Sequence, residues 1–154
     1  MMNILALVGK GSNLSGTFMY FSGAMEPVFR CLSTGQPLLK ETAAAKSYTR
    51  PGGRAVSGEE VEKKAKATLK RDKQDTSKRS NVLGRYELQF GKYQGCTFKW
   101  VLENALGWAA FIGASTKKEK PSTSNISVNK FAFLVSVTFT SLFASVFASN
   151  SNYT

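Results

Sequence analysis

Residues 86–115 read YELQFGKYQGCTFKWVLENALGWAAFIGAS, the one stretch of the chain whose pattern is built to close around a core. Tyr86, Leu88 and Phe90 fall on one side of an extended strand, and Glu87 and Gln89 fall on the other. Gly91 and Gly95 bracket a turn. Both can take positive φ, and such a turn presents Lys92 or Tyr93 outward. Thr97 is suited to cap a helix, and Phe98, Val101, Leu102, Ala105, Leu106, Ala109 and Ile112 then recur as an amphipathic stripe. Gly107 either costs that helix about 1 kcal/mol or ends it near Asn104. The expected fold class is α+β: a small strand-turn-helix module over 82–116, preceded by a basic helix and carried between poorly ordered flanks.

The 154 residues leave room for one ordinary domain, but the apolar residues are unevenly spread. Residues 40–85 are largely polar. The expected organisation is an irregular segment over 1–56, a basic helix and linker over 57–80, the module over 82–116, a polar linker over 117–130 and a hydrophobic segment over 131–149. A unit of about 30–40 residues is marginal unless a metal, disulfide, partner or membrane supports it.

Ser57-Gly58-Glu59-Glu60 forms a capping box, so a helix is expected from Glu59 to about Lys73. Glu59–Lys63, Glu60–Lys64 and Glu62–Lys66 are oriented i,i+4 pairs. Its apolar stripe is thin, only Val61, Ala65 and Leu69, which suits a helix that is solvated or docks on something outside itself. From Lys63 to Arg85 nine basic residues stand against Asp72 and Asp75, a local excess of seven within a net charge of +11. Charge of that kind favours polyanions: nucleic acid, acidic protein tails or anionic lipid. Binding through phosphates alone falls steeply with salt and reads no bases. The simpler reading is a solvated helix face.

Catalysis has little to build on. The chain has no histidine, which removes imidazole general bases, Ser–His and Cys–His nucleophile pairs and most zinc chemistry. Cys31 and Cys96 allow one bridge at most. The glycines around Lys10 lack the spacing of a phosphate loop. No catalytic residue, metal ligand, cofactor or small-molecule substrate is expected, and the reading is of a non-enzyme.

Phe90-Gly91-Lys92-Tyr93, then Gly95, Thr97-Phe98, Trp100-Val101-Leu102-Glu103-Asn104 and Gly107-Trp108, resembles a small module of unknown function. That module occurs alone in bacterial proteins and appended to exodeoxyribonuclease X-like 3′–5′ exonucleases. The resemblance covers about thirty residues, a fifth of the chain. It implies an accessory role on nucleic acid, with Lys92 and Tyr93 on an exposed turn, and no exonuclease activity. Cys96 stands where that family commonly has a basic residue, and Ala105 where an acid is frequent. The residues themselves add Lys99 and Trp100, a cation beside an aromatic face on which a base can stack. The same rings could instead form a wall of the core. The candidate nucleic-acid-binding set is Lys92, Tyr93, Lys99, Trp100, Lys70, Arg71, Lys73, Lys78, Arg79 and Arg85.

Residues 131–149, FAFLVSVTFTSLFASVFAS, are uncharged and long enough to cross a bilayer. Lys117, Lys118, Lys120 and Lys130 precede them, the arrangement of a tail anchor with a cytosolic N-terminus. Strict alternation over 135–140 competes, since it reads as a strand. Three readings follow. The first is a non-catalytic, sequence-indifferent nucleic-acid-binding module of the nucleus or cytoplasm. The second is a tail-anchored protein whose basic segment lies on anionic membrane. The third takes the central block as a genuine unit in an incorrectly predicted or truncated gene product.

Overall fold

A computed structural model describes residues 27–138 of the chain. Its regular structure is six helices: α1 (Ala43–Ser47), α2 (Gly58–Arg71), α3 (Arg79–Gly84), α4 (Phe98–Asn104), α5 (Leu106–Thr116) and α6 (Asn125–Thr138). Among the described residues there is no sheet, only the isolated bridges Cys31↔Pro37 and Glu87↔Thr97. The expected α+β class is therefore corrected: the fold is helical.

The reason lies in where the extended residues 86–90 find their partners. On one edge they pair only with the return of their own turn, through Leu88 N–H to Cys96 O (2.9 Å), Gly95 N–H to Leu88 O (2.8 Å) and Phe98 N–H to Tyr86 O (2.8 Å). On the other edge stands a single side chain. Asn129 of α6 accepts the Gln89 N–H at 2.8 Å and donates to the Glu87 carbonyl at 3.0 Å. One amide thus satisfies the groups that a neighbouring strand would otherwise take, and the ribbon stops at one bridge. Side-chain alternation alone does not reveal whether a second strand exists to pair with.

Around this ribbon the helices begin and end largely where local chemistry directs. Ser57 Oγ accepts the Glu60 N–H at 3.2 Å, and α2 buries Val61, Ala65 and Leu69. The thin stripe docks within the chain itself, α2 packing on α3 and α6. The helix closes at Asp72 with Lys73 in the left-handed region at φ 56°. Gln74 N–H returns to Leu69 O (2.8 Å) and Lys73 N–H to Lys70 O (3.1 Å), a complete Schellman closure with lysine where glycine is usual. Thr97 Oγ1 accepts the Trp100 N–H at 3.1 Å to start α4.

The apolar stripe beyond Thr97 does not form one helix. Ala105 has φ −145° and ψ 53°, so the chain breaks there and restarts as α5. Gly107 N–H then donates to Leu39 O at 3.1 Å, and a Cβ on Gly107 would meet that carbonyl at 2.8 Å. Glycine is needed because another backbone crosses against the helix. Residues 28–42 wrap the same end of α4. Val28 N–H donates to Glu103 Oε2 (2.9 Å) and Thr42 N–H to Asn104 O (3.0 Å).

The first eight residues of the 131–149 segment are the last eight of the fourteen in α6. Phe133 and Val137 are fully buried, one helical turn apart. Residues 135–138 are helical, so their alternation does not mark a strand. No helix among the described residues is long and apolar enough to cross a membrane, and residues 139–149 lie outside them. Residues 1–26, with the expected irregular start, lie outside as well. One cluster of buried apolar side chains links Phe29 and Ala45 through Val61, Leu88, Phe98 and Leu102 to Phe133 and Val137.

Candidate nucleic-acid interface

Because α2 turns Val61, Ala65 and Leu69 inward, helical geometry places Lys63, Lys66 and Lys70 along the opposite side, with Lys73 just past the end. At 1.5 Å rise per residue the row from Lys63 to Lys70 spans about 10 Å. Lys63, Lys66 and Lys70 line an open trough with Ala67, Glu59 and Glu62. Among the described residues no carboxylate lies within ion-pair distance of Lys63, Lys70 or Lys73, and all three are exposed.

Lys66 and most other cations of this region are paired with acids of the chain at its surface. Lys66 pairs with Glu62 at 3.1 Å, and Lys64 with Glu87 at 2.8 Å. Arg71 and Arg85 both meet Asp72 at 3.3 Å. Arg79 binds Glu62 and lies over the Tyr86 ring, 5.5 Å from its centroid. Lys78 is exposed where the chain enters α3. Of the expected set, Lys70 and Lys73 thus offer open charge, Arg71 offers charge shared with Asp72, and Arg79 and Arg85 serve mainly to fasten α3. Lys63 and Lys66 complete the row but were missing from that set. Their signal was the spacing 63, 66, 70 and 73, opposite the apolar stripe.

Glu62 is the hub of this fastening, accepting from Arg79, from the Tyr86 hydroxyl at 2.9 Å and from Lys66. Those donors, Arg79 first, hold its carboxyl down at about 2. In the unfolded chain a glutamate titrates near pH ~4.3, so the folded form resists protonation. Stability from this group is complete above that pH and is lost as pH falls toward 2. With the side chain 33% exposed, screening limits the loss to about 1–2 kcal/mol. Glu62→Gln is expected to flatten this acid limb, as read by circular dichroism in an acid titration.

The aromatic half of the expected site is arranged differently. Lys92 does face outward, but its amine is held 3.1 Å from Glu41 and 5.3 Å from the Tyr93 ring centroid. Gly91 and Gly95 take positive φ (73° and 93°), yet the turn points Tyr93 inward, where it is fully buried. Its ring meets Trp108 edge-on at 5.1 Å and lies 6.0 Å from Trp100. Burial and the Glu41 carboxylate beside it push the Tyr93 phenol up. Lys99 pairs with Glu103 at 2.9 Å on α4, and Trp100 is half-buried against the core. Both amines are thus held by acids, and the ring beside Lys92 is covered rather than open. Phe111, by contrast, is 67% exposed on α5.

Among the described residues no group of three His, Cys, Asp or Glu side chains is placed to hold a metal ion. Cys96 is buried and Cys31 half-buried, and burial raises both thiols. Comparison with protein-family models, with curated proteins and with solved structures finds no match to this chain.

Proposed function

We propose that the chain is a non-catalytic module that holds nucleic acid through its phosphates, without reading sequence, in the nucleus or cytoplasm. The observation that carries this reading is the exposed row along α2 and its end, where among the described residues no acid lies within ion-pair distance of Lys63, Lys70 or Lys73 while the neighbouring cations are paired. The lysines contact phosphates as point charges, each releasing a counterion on binding. Nucleic acid suits the row better than a lipid surface does. The apolar side of α2 is already spent on the core, leaving nothing to sink into a bilayer.

The test is a salt titration of binding to mixed-sequence duplex DNA, comparing wild type with a Lys63→Ala, Lys70→Ala, Lys73→Gly variant. Glycine at 73 removes a charge while relieving the left-handed backbone, so lost binding cannot be blamed on lost folding. The slope of log affinity against log salt should flatten by about 3. Between about 50 and about 200 mM salt the wild type should then lose roughly 40-fold more affinity than the variant. Lys92→Ala with Lys99→Ala should change little, since Glu41 and Glu103 already hold those amines. An unchanged slope in the α2 variant would refute the reading. Binding to anionic vesicles with none to DNA would reassign the row to lipid headgroups.

A further inference from the structure

Tyr48 sits where three rings meet. Its centroid is 6.1 Å from Tyr93 and 5.9 Å from Trp100, which are themselves 6.0 Å apart. Tyr93 is wholly covered in this cluster, whereas Tyr48 and Trp100 keep an outer surface. The hydroxyl of Tyr48 donates to Gln94 O at 2.6 Å, and burial pushes its phenol up to about 12.

Tyr48 begins a strap, residues 48–57, that crosses the 91–95 turn before entering α2. Its hydrogen bonds to the turn, the ribbon and α6 each engage a side chain rather than forming a ladder. Arg50 donates to Gly91 O at 3.4 Å and the Gln94 amide to Gly53 O at 3.3 Å on the turn, Val56 N–H donates to Gln89 Oε1 at 2.9 Å on the ribbon, and the Asn125 amide of α6 donates to Ala55 O at 3.1 Å. Residues 49–54 are exposed, and Gly52 and Gly53 at mid-strap have open space around them. Arg50 and Arg54 bring charge to the strap, and Lys46 to the end of α1 just before it, with no ion-pair partner among the described residues.

A ring set at a tilt of 35° to a tyrosine and 46° to a tryptophan, at the end of a cationic strap, occupies the place a nucleobase would take. We propose that Tyr93 and Trp100 form a stacking site for a base of single-stranded nucleic acid, filled in this structure by Tyr48, and that the strand displaces the strap to enter. This rests on the reading of the chain as a nucleic-acid binder and adds the class of nucleic acid. Stacking tolerates any base, so the site keeps sequence indifference while favouring unpaired strands. A duplex, whose bases are already stacked, gains nothing from it.

The experiment compares a mixed-sequence single strand and its duplex on the full chain. Tyr48→Ala should bind the single strand about 5- to 10-fold more tightly, with duplex affinity changed less than about twofold. Tryptophan emission should be quenched by the single strand and not by the duplex. Tyr48→Phe keeps the ring but loses the bond to Gln94, and should favour the single strand by about twofold. Should Tyr48→Ala lose its helical signal, Tyr48→Phe carries the comparison. An unchanged single-strand-to-duplex ratio in the folded variants, or no selective quenching, overturns the stacking site while leaving the lysine row standing. If the wild type binds neither form, the lysine row fails and the stacking site fails with it.

Discussion

Phe133→Ala is expected to cost about 3–5 kcal/mol, enough to leave much of the chain unfolded at ordinary temperature. Phe133 is fully buried, meeting Phe98 edge-on at 5.0 Å and Trp108 at 6.2 Å. Truncation leaves a void against α4 and α5 that those rings cannot collapse into without breaking their other contacts. Denaturant melts of the purified chain measure the loss. Val135→Ala is the control, since that side chain is 44% exposed on the same helix and should shift stability by less than about 1 kcal/mol. Equal effects at 133 and 135 would mean that α6 is not seated on the core. The 131–149 segment contributes to packing from its first residues, whatever the remainder does.

Tyr93→Ala carries a comparable penalty, about 3–5 kcal/mol, and separates two pictures of the 91–95 turn. If Tyr93 stood outward as a binding residue, its removal would weaken ligand binding and leave the melt unchanged. With the side chain fully covered and touching Trp108, Trp100 and Tyr48, the melt should move first. Lys92→Ala should move it by less than about 1 kcal/mol, because its pair with Glu41 is solvent-screened at 47% and 27% exposure. A melt in which Tyr93→Ala matches Lys92→Ala would contradict the inward ring.

The sequence disclosed local signals better than the partners that close them. Ser57 and Thr97 cap where their spacing said, and Val61, Ala65 and Leu69 are the buried side of α2. The break near Asn104 was one of two outcomes that Gly107 allowed, and the Leu39 carbonyl explains why it occurs. Other features carried no local mark. Lys78 gives α3 no side-chain cap, and Val82 and Leu83 show too short an apolar run to announce a helix. The strand pattern at 86–90 was real in alternation but misleading in class, because the partner on its open edge is one asparagine forty positions away. In α6, Asn129, Phe133 and Val137 do follow helical spacing, but the dense Phe, Val and Ser content obscures it. The candidate interface was half legible. Charge excess pointed to 63–85, while only the fold shows which cations are already neutralised by Glu62, Asp72 and Glu87.

The wrapping of α4 by residues 28–42 at one end, and the seating of Phe133 at the other, bears on how the chain is born. Val28 meets a carboxylate seventy-five positions downstream, and α6 seals the same cluster that Phe29 enters. A ribosome emitting this chain from its N-terminus releases the ribbon and α4 well before α6 emerges. Until then Phe98 and Trp108 lack the Phe133 ring that covers them, and the nascent polypeptide must wait, greasy and incomplete, for α6 to arrive.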